Sequence, residues 1–176
     1  MIIGLGYQKG VGKDEVGKYL RSFYGMHRVA FADHIKRVCS TMFRLSLSDL
    51  EEKDTYNEYW NLTHRQMLQN VGVGLRESLG EDIWIRAANL LELEQHHEHV
   101  VVTDLRFKKE FDFIKKHDGH CVKICRKTES VDTHISEHDL DNANWDAIIE
   151  NNGTLGELYS TVDAMMMNTF GCVPND

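Results

Sequence analysis

The chain has 176 residues, of which 41% are apolar and 27% charged, enough for one domain with a sizeable core. Its formal net charge of −8 argues against a general nucleic-acid surface, which needs clustered basic residues. No apolar run approaches the ~20 residues of a membrane span, and Met1-Ile2-Ile3 leads directly into a strand-like run, not a signal peptide. Cys39, Cys121, Cys125 and Cys172 show no C-x-x-C spacing. In a strand, Cys121 and Cys125 would lie on one face but ~13 Å apart, too far for a disulfide. Reduced cysteines imply a cytoplasmic protein. The His96-His97-Glu98-His99 run invites a metal reading, but no matching ligand spacing recurs to complete a four-ligand site. It reads as a solvated helix end.

The first element is an apolar strand, Ile2-Ile3-Gly4-Leu5. A glycine-rich bend follows, with Gly6, Gly10, Gly12 and two lysines, Lys9 and Lys13, and then a helix to about Tyr24 stopped by Gly25. Strand, glycine-rich turn and helix N-terminus are the geometry that holds phosphates through free N–H groups and the helix dipole. Gly10, Val11, Gly12, Lys13, Asp14 and Glu15 are the candidate cradle, with Lys13 a point charge for the terminal phosphates. The spelling departs from Gly-x4-Gly-Lys-Ser/Thr. Tyr7 stands at the first glycine, and Asp14 at the Mg²⁺-binding hydroxyl. An ordinary glycine-rich turn is the competing reading.

Residues 27–31 read as a short second strand, and Asp33 caps a helix carrying Ile35, Val38, Cys39 and Met42. Residues 46–63 are polar and aromatic, a loop with a helical turn that covers a site. A helix begins at Thr63, weakened by Gly72 and Gly74, and another spans 81–95 around Trp84. Val100-Val101-Val102-Thr103 is a continuous β-branched run, as in a strand covered on both faces. It ends at Asp104-Leu105-Arg106. In open α/β sheets ligands bind beyond the carboxyl ends of strands, which marks Asp104 and Arg106; a helix N-cap is the alternative for Asp104. A helix through Phe107, Phe111 and Ile114 leads to a strand over His120–Cys125. The polar segment from Arg126 to Trp145 reads as a lid. Residues 146–149 form the last strand, and Thr154 with Glu157 a capping box for the last helix, whose core stripe includes Leu155. This order gives a doubly wound, mainly parallel α/β sheet of about five strands. The whole is one domain over 1–176, with a helical excursion over about 33–96 and a lid over about 126–145.

Seven stretches together resemble one family: Gly12-Lys13-Asp14, Phe31-Ala32-Asp33-His34-Ile35-Lys36, Arg65-Gln66-Met67-Leu68-Gln69, Asp82-Ile83-Trp84, Val102-Thr103-Asp104-Leu105-Arg106-Phe107, His134-Ile135-Ser136-Glu137 and Asn151-Asn152-Gly153-Thr154-Leu155. In order and content they are similar to the phage-type deoxynucleoside monophosphate kinases of the P-loop NTPase superfamily. The family's Asp after the loop lysine accounts for Asp14; Glu15 stands where such proteins often have Thr, and 46–63 finds no match. The resemblance implies transfer of the γ-phosphoryl of ATP to a deoxynucleoside 5′-monophosphate with Mg²⁺, in the cytoplasm of a host if phage-encoded. Both partners would be small molecules, and a homodimer is open.

Within that resemblance Lys13, Lys9 and Arg126 are the candidate charge-neutralising catalytic groups. Lys9, Phe31, Ala32, Lys36, Arg65, Gln69, Trp84, Asp104 and Arg106 are candidates for the acceptor. Gln69 and Trp84 would meet its base, and Asp104 its 3′-hydroxyl or a metal water. His134 and Glu137 are candidate lid anchors at the ATP end, and Asp14 or Asp104 the candidate metal ligand. Two other functions remain open: a P-loop kinase of another small acceptor, such as a coenzyme precursor or nucleoside, and a non-catalytic nucleotide-binding module.

Overall fold

A computed structural model describes residues 1–127 and 139–174. The elements are β1 (Ile2–Gly6), α1 (Lys13–Tyr24), β2 (His27–Val29), α2 (Phe31–Phe43), a 3₁₀ turn (Asp49–Glu51), β3 (Tyr56–Asn57), β4 (Leu62–Thr63), α3 (His64–Leu79), α4 (Ile83–Ala88), α5 (Leu90–His96), β5 (Val100–Leu105), α6 (Lys108–Lys116), β6 (His120–Cys125), β7 (Ala147–Glu150) and α7 (Leu155–Phe170). They form two compact units, one of residues 1–29 with 90–176, the other of residues 30–89.

The first unit holds a five-stranded sheet in the order β2-β5-β1-β6-β7. All four pairings are parallel. Parallel strands need both faces covered, and β1 and the β5 valines are accordingly fully buried. Val16 and Leu20 of α1 and Leu158, Val162, Met165 and Met166 of α7 pack with Ile3, Leu5, Val101, Val122, Ile124 and Ile149. Gly17 lets α1 lie directly on β5, since a Cβ there would overlap Thr103 Cγ2. The methionines fill core space, but Leu155, expected in the same stripe, is 52% exposed. Its place in the first turn of α7, just after the N-cap Thr154, turns it outward.

The second unit packs Cys39 and Phe43 of α2 against Leu50 and Met67. The 46–63 segment is more ordered than a loop: the 3₁₀ turn leads into the antiparallel β3–β4 hairpin. His64 N–H donates to Thr55 O (3.0 Å) and Arg65 N–H to Lys53 O (2.7 Å), which straps the segment to the start of α3. Thr63 and Gln66 form a capping box there.

Four expected features differ. The second strand stops at Val29 and Phe31 already opens α2, because a short apolar run does not distinguish a strand from a buried helix start. Ala30 is the N-cap and Asp33 lies inside the first turn, where its charge suits the dipole. α3 runs unbroken through Gly72 and Gly74; at Gly72 the missing side chain admits Ile35 Cδ1, 3.2 Å from where a Cβ would stand. The expected 81–95 helix is two helices, since Asn89 turns left-handed (φ 46°), which an asparagine side chain tolerates.

Replacing Gly17 by Val should destabilise the chain by about 1–3 kcal/mol or more, because neither α1 nor β5 can yield without disturbing the core. A urea denaturation midpoint measures this; an unchanged midpoint would show that the α1–β5 contact is not tight.

Candidate active site

Parallel pairing places Gly6 beside Leu105 of β5 and Lys123 of β6. The carboxyl ends of β1, β5 and β6 therefore lie side by side. From β1 the chain passes through α1 to β2 on one side, whereas β6 has β7 on the other. Such a divergence is the switch point at which open sheets bind ligands. The bend of residues 7–12 lies there, between β1 and α1. Asp104 is the penultimate residue of β5, Arg106 follows its end, and Arg126 follows β6. Asp104 is not a helix cap: α6 is capped at Phe107, with Glu110 accepting from the Arg106 and Phe107 N–H groups at 3.0 and 3.1 Å.

The bend takes its shape from three left-handed residues. Tyr7 has φ 91°, Gly10 φ 78° and Gly12 φ 104°. Tyr7 thus adopts the conformation for which the usual loop spelling supplies a glycine. For a bulky residue that costs on the order of 1–3 kcal/mol. Its ring lies under the Lys123 ammonium, 3.9 Å from the ring centroid, an attraction that partly offsets the strain. Gly12 caps α1 without a side chain, and its carbonyl accepts from Glu15 and Val16 N–H, both at 3.1 Å. Helix geometry leaves the N–H groups of Lys13 and Asp14 pointing out of the first turn, the arrangement that attracts anions.

Lys13 is only 7% exposed. Its Nζ donates to the carbonyls of Tyr7 (3.0 Å) and Gln8, so the ammonium fastens the loop's beginning to its end. A second fastening comes from the end of β7. Asn151, also 7% exposed, donates from Nδ2 to Val11 O at 2.9 Å, and its backbone N–H donates to Cys125 O at 2.7 Å. A Cβ on Gly12 would stand 2.5 Å from Asn151 Nδ2, so glycine is required there by space as well as by φ.

Lys9, Gly10 and Asp14 are exposed on the loop and first helical turn, while Val11 is buried beneath them. Glu15 faces α7: Tyr159 Oη donates to its carboxylate at 2.6 Å and Lys18 pairs with it at 3.7 Å. That hydrogen bond to Glu15 raises the Tyr159 pKa, since ionising the phenol would forfeit it. Asp14 lies in the first turn of α1 and Asp104 near the end of β5, the two carboxylates expected to meet a cation. Oxygen donors of this kind fit Mg²⁺, which takes one or two carboxylates and completes its shell with phosphates and water. No group of three or more His, Cys, Asp or Glu side chains that could hold a metal ion occurs among the described residues.

The second unit carries the other candidates. Phe31 is buried and Ala32 half-buried at the start of α2. Lys36 donates to Glu51 at 2.6 Å. Arg65 makes a two-pronged contact with Asp54, from Nε at 2.9 Å and Nη2 at 3.1 Å. Gln69 is exposed on α3. Trp84 is 2% exposed and donates its indole N–H to Gly72 O at 3.0 Å, so its ring is a core element of this unit. His134 and Glu137 lie outside the described residues.

Asn151 and Lys123 were missed as contributors. Asn151 reads in sequence as the start of an Asn-Asn-Gly turn, and only its place just after Glu150, which pairs with Cys125, reveals the reach to Val11. Lys123 had a signal, since a lysine between Val122 and Ile124 must face away from their core layer.

The fold and the loop at its switch point define a P-loop α/β protein. Comparison with solved structures agrees on the fold. Shikimate kinase from Aquifex aeolicus superposes with a TM-score of 0.50 at 17% identity, over 97% of this chain and 99% of that one. A dephospho-CoA kinase from Campylobacter jejuni gives 0.50 at 14%, over 97% and 98%. In sequence, a putative deoxynucleotide monophosphate kinase of Acanthamoeba polyphaga mimivirus is 34% identical over 190 aligned positions, 96% of this chain and 97% of that protein. The deoxynucleotide monophosphate kinase of Escherichia phage RB69 is 28% identical over 121 positions, 66% of this chain and 49% of that protein. The family model described as deoxynucleotide monophosphate kinase matches residues 43–162. This chain belongs to the deoxynucleotide monophosphate kinase family.

Asn151→Ala should cost about 1–3 kcal/mol, because it strands the buried Val11 carbonyl. It should also raise the KM for ATP more than it lowers kcat. Thermal unfolding and initial-rate kinetics check both; a variant with wild-type KM would show that the loop holds its shape without Asn151.

Proposed function

We propose that the chain phosphorylates deoxynucleoside 5′-monophosphates with ATP. In this reading a non-bridging oxygen of the acceptor phosphate attacks the γ-phosphorus in line. The new O–P bond forms as the bond to the β,γ-bridging oxygen breaks, giving a deoxynucleoside diphosphate and ADP. Such a transfer needs little covalent help from protein, but it needs two anions aligned and the developing charge neutralised. The observation that carries the reading is the loop of residues 7–13, fastened by Lys13 and Asn151 at the sheet's switch point, beside the end of β5.

The roles follow from placement. The amides of Gly10 to Asp14 and the Lys13 ammonium hold the β- and γ-phosphates. Lys9 and Arg126, both exposed, neutralise charge on the transferred group, and Arg106 adds to the same field. Asp104 accepts a hydrogen bond from the acceptor's 3′-hydroxyl or orients a metal-bound water. In the second unit Arg65 and Lys36 bind the acceptor phosphate, Gln69 hydrogen-bonds its base, and Phe31 and Ala32 shape the pocket. Asp14 or Asp104 would hold Mg²⁺, which would supply positive charge against the phosphates. The compartment is the cytoplasm, where the thiols stay reduced; burial pushes Cys39 up to about 11 and Cys121 up to about 12, so neither is a reactive thiolate.

A coupled ADP-release assay across the deoxynucleoside monophosphates tests the reading. Turnover with at least one of them supports it. Turnover only with an unrelated acceptor, or none with any, overturns it. Lys13→Ala should lower kcat by about 10²–10³ while the circular dichroism spectrum is retained. Residual activity within tenfold of the unaltered chain would remove Lys13 from the phosphate site.

A further inference from the structure

At the other end of the sheet from the loop, the amino end of β2 opens into a pocket of about 480 Å³ lined by Arg21, Gly25, Met26, His27, Arg28 and His97. All six belong to the first unit. Four carry basic side chains, drawn from three places in the chain: the last turn of α1, strand β2, and the residue after α5. The His27 and His97 rings stack with centroids 4.0 Å apart and planes 9° from parallel. This gathering of positive groups stands out in a chain of net charge −8.

We propose that this pocket is a second anion site that takes a small phosphate-bearing ligand, separate from the phosphate loop. Two guanidinium forks match phosphate oxygens, and two imidazoles add donors that can become cations. The volume lies within the range of small-ligand sites, roughly 300–1,000 Å³. Position separates the pocket, at the amino end of β2, from the loop, which lies at the carboxyl ends of the strands.

The histidines give the site a pH signature. Burial, then the neighbouring His97 and Arg21, hold the His27 pKa below its ordinary value. The groups acting on His27 are thus cationic, Arg21 from α1 and His97 from beyond α5. A bound anion reverses that field and favours the imidazolium. Binding therefore takes up protons and tightens as pH falls through the His27 range.

Inorganic pyrophosphate is the probe, followed by NMR of the histidine ring carbons and of the backbone amides in the full chain. The expected result is a saturable shift of the His27 and His97 signals, with the His27 pKa raised by ~1 unit and affinity higher at pH 6 than at pH 8. Arg21→Gln with Arg28→Gln should weaken this response about tenfold or more, while the shift of the Gly12 amide persists. If that double variant does not fold, His97→Gln should weaken it in the same sense. Imidazole signals that stay put while Gly12 responds, or a response unaffected by these substitutions, would overturn the proposal. Because Gly12 reports separately, failure here is distinguishable from failure of the loop to bind phosphates.

Discussion

The structure depends on a fastening between backbone and cation. The loop of residues 7–12 turns through positive φ three times, and nothing in its own sequence makes that bend rigid. Lys13 closes it by donating to the Tyr7 and Gln8 carbonyls, and Asn151 ties its middle to the end of β7. Both side chains are largely buried, where an unmade hydrogen bond costs most. The result is a set of loop amide groups held in place by the fold itself, as the proposed phosphate cradle requires. Preorganisation of that kind is what electrostatic catalysis requires.

The charge distribution follows the same logic. A chain with net charge −8 can hold nucleotides only by concentrating its lysines and arginines. Lys9, Lys13, Arg106, Lys123 and Arg126 come from the loop and from the ends of β5 and β6. In the second unit Lys36 and Arg65 are each met by a carboxylate from the 49–55 segment, Glu51 and Asp54. Those pairs fix the direction of two long side chains. Asp54 takes the Nε–Nη2 edge of Arg65.

Much of this was legible in the sequence. The strand of valines at 100–102, the glycine-rich bend and the Thr154–Glu157 capping box each announce their structure through local chemistry. The doubly wound sheet follows from their order. Position along the chain also foretold that Asp104 would lie at the end of a strand adjoining the loop. What could not be read were contacts made across the sheet. Asn151 looks like a turn residue until β7 is seen pairing with β6. Trp84 is given to the acceptor base only by the family resemblance; its burial and its N–H bond to Gly72 O place it in the core of the second unit. Tyr7 looked like a defect in the motif, yet it takes up the very backbone turn a glycine would have provided, with Lys123 over its ring. Boundaries failed where short apolar runs are ambiguous, at residues 29–31, and where one asparagine reverses the chain, at Asn89.

The central claim is that this bend receives the triphosphate tail of ATP. Titrating a non-hydrolysable ATP analogue into isotopically labelled protein, and following the backbone amides, tests it most directly. The account predicts large, saturable shifts at Gly10, Gly12, Lys13 and Asp14, abolished by Lys13→Ala. Amides at those positions that remain unmoved while a different region of the chain responds would contradict it.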